Sequence, residues 1–156
     1  MSGYNYSSRT VSWVSFLIMD AFPIEKVATM DEVRNGLLYT KTHEWIQKTD
    51  DGTVVIGITD HAQHEVGDIV FVEVPKEGRE VTAGEELGAL ESVKTVEPIY
   101  SPVSGKIVRS NALLDGAPET LNSSPYDDGW LVVIKVSNSK ELDGMMDAAA
   151  YKAFLG

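Results

Sequence analysis

The strongest constraint on this chain is a rhythm. From Gly52 onward, short runs of β-branched and aliphatic residues alternate with breaks rich in Gly, Pro or Asp. Val54, Val55, Ile56 and Ile58 follow an Asp-Asp-Gly turn. Ile69 to Val74 (IVFVEV) begins after Gly67-Asp68 and stops at Pro75. Leu87 to Glu91, the segment from Ile99 onward, Ile107-Val108 after Ser104-Gly105, and Leu131 to Val136 (LVVIKV) complete the series. Strands of about five residues, each closed by a turn signal, predict an all-β sandwich or small barrel. Thr59 or Asp60 can cap a short helix over His61 to Glu65. Tyr39 to Ile46 (YTKTHEWI) reads as an aromatic-bearing strand, and residues 111–129, with two prolines and no period, as a loop. After Val136 the character changes. Asn138 or Ser139 can cap a helix through Lys140 to Met146, and Asp147 a second over Ala148 to Leu155.

With 156 residues the chain is about one domain long. Its net charge is −11. Residues 1–30 contribute nothing to that excess, because Arg9 and Lys26 balance Asp20 and Glu25. So acidic a domain repels phosphate backbones, which argues against nucleic-acid partners and for basic ones. There is no cysteine, so disulfides, thiolate metal sites and cysteine nucleophiles are excluded. Val11 to Met19 (VSWVSFLIM) is too short to span a membrane. It also lacks the basic start and small-residue cleavage site of a secretory signal and the arginines of a mitochondrial leader. Residues 1–30 are therefore set apart as an N-terminal extension, with Met30 able to serve as initiator. A targeting segment and a structural arm stay open as readings. Residues 31–156 form the expected folded domain, a monomer with no membrane partner.

One lysine, Lys94, stands in the polar stretch Glu91-Ser92-Val93-Lys94-Thr95-Val96-Glu97-Pro98, between two strand-like segments. A lone lysine in a turn is ordinarily a solvated charge. Making its amine nucleophilic takes burial or a cationic neighbour, and Glu91 and Glu97 supply neither. On a rigid hairpin tip, however, it is an accessible acceptor for an enzyme that brings its own base. His61 and His64, three apart on a short helix, could reach one metal, but no third ligand or built-in glutamate base accompanies them. They read as a solvated helix face, and no metal is expected.

The residues around Lys94 resemble the lipoyl-attachment hairpin of the glycine cleavage system H-protein family. Gly88-Ala89-Leu90 leads into Glu91-Ser92-Val93-Lys94, and Tyr100-Ser101-Pro102-Val103-Ser104-Gly105 follows. Thr42-His43-Glu44-Trp45 is similar to that family's SHEW or THEW segment. Gly57-Ile58-Thr59-Asp60-His61-Ala62-Gln63 with Gly67-Asp68, Val70 to Pro75, Asn122 to Tyr126 with Gly129-Trp130-Leu131, and Met146 to Leu155 match further family segments in order. The likeness runs from about residue 31 to 156. The family usually follows its lysine with small residues and an aspartate, where this chain has Thr95-Val96-Glu97-Pro98. Biotin hairpins typically read Met-Lys-Met, which Val93 and Thr95 do not match.

The resemblance implies a mostly β barrel-sandwich hybrid fold with short flanking helices and a C-terminal helix. It implies a carrier and not an enzyme, with lipoate amide-linked to Lys94 by a lipoate-protein ligase or an octanoyl/lipoyl transferase. Glu91, Ser92 and Val93 would be recognised by that enzyme. A PLP-dependent glycine decarboxylase would pass an aminomethyl group to the lipoyl sulfur, and a tetrahydrofolate-dependent aminomethyltransferase would remove it. An FAD-bearing dihydrolipoyl dehydrogenase would then reoxidise the dithiol. Glu44 and Trp45, with Thr42 and His61, would line a cleft that shelters the loaded arm. Bacterial cytoplasm is expected ahead of a mitochondrial location, because a mitochondrial form would carry a more arginine-rich leader and no clear export signal is present. An H-like lipoate carrier serving sulfur oxidation or lipoyl relay is the alternative.

Overall fold

The structure is a computed structural model that describes residues 31–156; the reading of residues 1–30 as an extension lies outside the described residues. The elements follow in chain order: β1 (Leu38–Tyr39), β2 (Glu44–Lys48), β3 (Thr53–Ile58), α1 (Asp60–Val66), β4 (Ile69–Glu73), β5 (Glu80–Val81), β6 (Glu86–Ser92), β7 (Val96–Tyr100), β8 (Gly105–Ser110), α2 (Leu113–Gly116), α3 (Thr120–Ser123), β9 (Val132–Val136), a 3-10 turn (Ser139–Leu142) and α4 (Ala148–Leu155). The strands form two antiparallel sheets. One has the order β1-β2-β3-β9-β8-β5 and the other β4-β6-β7.

The inner faces share one apolar core. Ile46, Ile56, Ile107 and Ile134 from the larger sheet pack with Val72, Leu87, Leu90 and Ile99 from the smaller. Each such side chain, fully buried, contributes about 1.5–3 kcal/mol. Two sheets closed over a single core, with short helices at the margins, make the mostly β barrel-sandwich hybrid expected.

Strand alternation creates a second, aromatic cluster. In β2, Ile46 faces the core, so its neighbour Trp45 must face the other way. There Trp45 joins Tyr39, Tyr126 and Tyr151, and its Nε1 donates to the Pro125 carbonyl at 2.9 Å. Gly57 is the cross-strand partner of Trp45, and a Cβ there would lie 2.5 Å from the indole, so only glycine fits beneath the ring.

Several local expectations are corrected. Tyr39 to Ile46 is not one strand: β1 and β2 form a hairpin broken at residues 40–43, with His43 at φ +70°. Residues 111–129 contain α2 and α3, each of four residues and too short to show a helical period. The helix expected from Lys140 to Met146 is a single 3-10 turn, capped by Asn138. Of the two caps offered for α1, Thr59 serves while Asp60 is the first helical residue, and Asp147 caps α4 as read.

Candidate functional site

The β6–β7 hairpin ends at Val93, Lys94 and Thr95. Ser92, buried just inside the tip, ties it together. Its hydroxyl accepts from the backbone N–H of Lys94 (3.2 Å) and of Thr95 (3.1 Å), and its own N–H donates to the Thr95 carbonyl (2.8 Å). Three bonds to one short residue fix the turn while Val93 and Lys94 stay exposed. Ser92 is thus an internal brace, whereas Glu91 and Val93 present outward. The Lys94 side chain lies over the C-terminal end of α1. A Cβ at Gly67 would sit 3.2 Å from its Cε and 3.6 Å from its Nζ, and Gly67, at φ +85°, has none.

Beside this end of α1 opens a cavity of about 290 Å³, at the lower edge of the ~300–1,000 Å³ typical of small-molecule clefts. Ile58, Val66, Leu90 and Ile99 give it apolar walls, and Glu44, Glu65 and Glu97 give it three carboxylates. Thr42 and His43 complete one side. The Glu44 carboxylate is buried, and its Oε1 accepts from the hydroxyls of Thr40 and Thr42, both at 2.6 Å. Burial pushes its pKa above the ordinary carboxylate range, although the two threonine hydroxyls pull the other way.

His43 is held from behind. Its Nδ1 and the Tyr151 hydroxyl are 2.7 Å apart, and that hydroxyl is 2.8 Å from Thr59 Oγ1, the cap of α1. Tyr151 also stacks on Tyr39, with ring centroids 4.5 Å apart. Residues from α4, the residue-43 turn and the start of α1 therefore meet at one tyrosine.

The cavity gathers only part of the set expected from the sequence. Glu44 and Thr42 line it. Trp45 does not, because strand alternation turns it into the aromatic cluster. His61 does not line it either. Its ring packs on His43 at 4.5 Å, and its Nε2 lies 3.6 Å from Glu65. His64 points elsewhere, its Nδ1 3.8 Å from Asp60, so the two imidazoles have different ionic neighbours. Glu65, Glu97 and His43 are cavity residues that the sequence reading missed. The spacing of Ala62, Glu65 and Val66, three and four apart on one helical face, carried the signal for Glu65. Among the described residues no helix is long and apolar enough to cross a membrane.

Comparison with known proteins places this geometry. A family model described as glycine cleavage H-protein matches residues 37–156. The glycine cleavage system H protein of Teredinibacter turnerae is 56% identical over 122 residues, covering 78% of this chain and 94% of that protein. The glycine cleavage system H protein of Salmonella arizonae is 50% identical over 126 residues, covering 81% and 98%. Among solved structures, the crystal structure of a glycine cleavage system H protein from Mycobacterium marinum superposes with a TM-score of 0.74 at 36% identity. It covers 80% of this chain and 99% of that one.

Proposed function

The chain belongs to the glycine cleavage H-protein family, and on that premise we propose that it is the lipoate-bearing carrier of a glycine cleavage system. It takes the aminomethyl group of glycine from the PLP-dependent decarboxylase to the tetrahydrofolate-dependent aminomethyltransferase, and it passes electrons to the FAD-bearing dihydrolipoyl dehydrogenase. It works as a monomeric carrier in the bacterial cytoplasm, and the catalysis belongs to its partners.

The observation that carries this reading is the juxtaposition of Lys94 and the cavity. An exposed lysine, braced by Ser92, lies over Gly67 at the end of the helix whose preceding residues, Glu65 and Val66, form a cavity wall. The residues fit lipoate: a free amine at a rigid tip for the amide, and an apolar cleft beside it. Bound there, lipoate supplies the sulfur pair that this cysteine-free chain lacks, able to take up both a one-carbon amine and two electrons.

The chain's own residues do the rest. Ser92 keeps the tip in one shape, so that each partner meets the same presentation. Ile58, Val66, Leu90 and Ile99 exclude water from the cleft. Glu44 is placed to receive a cationic amine brought into the cavity. A cation entering favours the ionised carboxylate, offsetting the burial that disfavours it, while Thr40 and Thr42 hold the oxygen in place. The test is intact mass and peptide mapping after co-expression with a lipoate ligase and lipoate. A lipoyl adduct confined to Lys94 is expected. A folded protein left unmodified by an active ligase would overturn the reading.

A further inference from the structure

The outer face of the smaller sheet carries apolar side chains that the core does not use. Phe71 is 55% exposed, Val96 62% and Val93 79%. The strand register puts two of them in one row. Phe71 of β4 lies opposite Glu91 of β6, and Glu91 lies opposite Val96 of β7, so the row reads Phe–Glu–Val across all three strands. A register shift between Ile69 and Phe71 adds Val70 to the same exposed edge, because a bulge breaks the alternation that would have turned one of the pair inward. Val93 continues the patch to the tip, next to Lys94.

The charge around this row has one sign. The three strands carry no lysine or arginine; Glu73 and Glu91 share the face of the row, Glu86 stands at the start of β6, and Glu97, next to Val96, turns to the cavity on the other face. Glu91 sits in the middle of the row, between the two apolar side chains. Two copies of the chain meeting here would bring their Glu91 carboxylates together, which disfavours self-association. The bulge in β4 and Pro98 in β7 blunt the two edges against strand addition. What fits is a side-on protein contact with an apolar recess ringed by cations, on a partner that must reach the lysine next to it.

We propose that the Phe71–Glu91–Val96 row, extended by Val70 and Val93, is the docking surface for the enzyme that acylates Lys94. The inference rests on the carrier reading and adds to the hairpin residues a strand, β4, about twenty residues earlier in the chain. In the acylation, Nζ of Lys94 gives a proton to the enzyme's base and attacks the acyl carbon of a lipoyl adenylate made from lipoate and ATP. The amide C–N bond forms as the C–O bond to phosphate breaks, and AMP leaves. Seating Phe71 and Val96 in the enzyme's recess fixes the direction from which the amine approaches.

The experiment uses the full apo chain, a purified ATP-dependent lipoate ligase, ATP, magnesium and lipoate, with intact mass as readout and thermal melts as fold control. Phe71→Ser is expected to raise KM for the apo chain about tenfold or more, with kcat little changed and the melt unaltered. Glu91→Gln should raise KM severalfold at low salt and flatten its salt dependence. Val108→Ser removes an apolar side chain of 40% exposure from the other sheet, and should acylate like the parent. Equal KM values for Phe71→Ser and Val108→Ser would overturn the proposal. So would a dimer of the parent chain that Phe71→Ser dissolves, since the row would then serve a second copy. If the parent chain itself is not acylated at Lys94, the carrier reading falls, and this inference with it.

Discussion

One turn lines the cavity and another presents Lys94 over the nearby end of α1, and the two are held in different ways. The hairpin tip at residues 93–95 is exposed and is fixed by its immediate neighbour, Ser92. The turn at residues 40–43 has local bonds, from the His43 N–H to the Thr40 carbonyl (3.2 Å) and from the Thr40 and Thr42 hydroxyls to Glu44, and it is tied to the far end of the chain as well. Tyr151 reaches His43, and Met146 pairs with Tyr39 through reciprocal backbone bonds of 2.7 and 3.0 Å. The difference separates two tasks. A presented lysine needs a tip that stays the same whatever the rest of the molecule does. A cavity wall built from a turn needs ties into the rest of the fold, and α4 supplies one through Tyr151 behind His43.

The largest effect should come at the tip with no effect on the fold. Lys94→Arg keeps a cation over Gly67 but cannot form the amide, so acylation and glycine-dependent CO2 release should both be lost. The melting temperature should stay where it was. A variant that still supported glycine cleavage would break the comparison at its first term.

Tyr151→Phe should do the reverse. It strips a hydroxyl from between His43 and Thr59, costing about 2 kcal/mol, or a fall of roughly 4–8 °C in Tm for a chain of this size. The rate of Lys94 acylation should be unaltered. Slowed acylation in a folded Tyr151→Phe protein would show that the two turns are coupled.

Ser92→Ala tests the local brace. Losing the hydroxyl costs about 1 kcal/mol of local order, which should slow acylation roughly fivefold. Tm should fall by no more than about 2–4 °C. An unchanged acylation rate would mean that the backbone bond to Thr95 suffices.

The smallest effect is a pH dependence at Glu44. Its pKa is raised in the fold by burial, so the ionised form is disfavoured there. Stability from this site is whole below the ordinary glutamate value of about 4.3 and is lost as pH rises through the elevated folded value. Glu44→Gln does not titrate, and its amide oxygen can still accept from Thr40 and Thr42. The variant should therefore match the parent in acid and melt slightly higher at neutral pH, with acylation unaffected. It should also release a glycine-derived amine to hydrolysis faster than the parent does. Melts across pH, with the lifetime of the loaded carrier, check both halves. A Gln variant that is no more stable at pH 7.5 than at pH 4, relative to the parent, would remove the buried-carboxylate account.

The split between the turns is also the split in what could be read from the sequence. The tip was legible, because Ser, Lys and Thr between two apolar runs make a turn by local bonding alone. The residue-43 turn was not. Tyr39 to Ile46 has the composition of a strand, and its break is closed by bonds among Thr40, His43 and Glu44 together with Tyr151, 108 residues away in sequence. Trp45 was expected on the cleft from its place in the family's segment beside Glu44, but neighbours along a strand face opposite ways. Val70 and Phe71 stand together in the apolar run IVFVEV, and the bulge exposes them both.

The sequence by itself determined the β-rich fold class, the cap at Asp147 and the family, and it narrowed the cap of α1 to Thr59 or Asp60. Each rests on patterns confined to a few neighbouring residues or repeated in a fixed order. The tertiary structure alone decided which carboxylates share the cavity, which face each strand residue serves, and how α4 closes behind His43. Those depend on register and on contacts between distant segments, and a chain's local preferences cannot set contacts that form only when both partners are already in place.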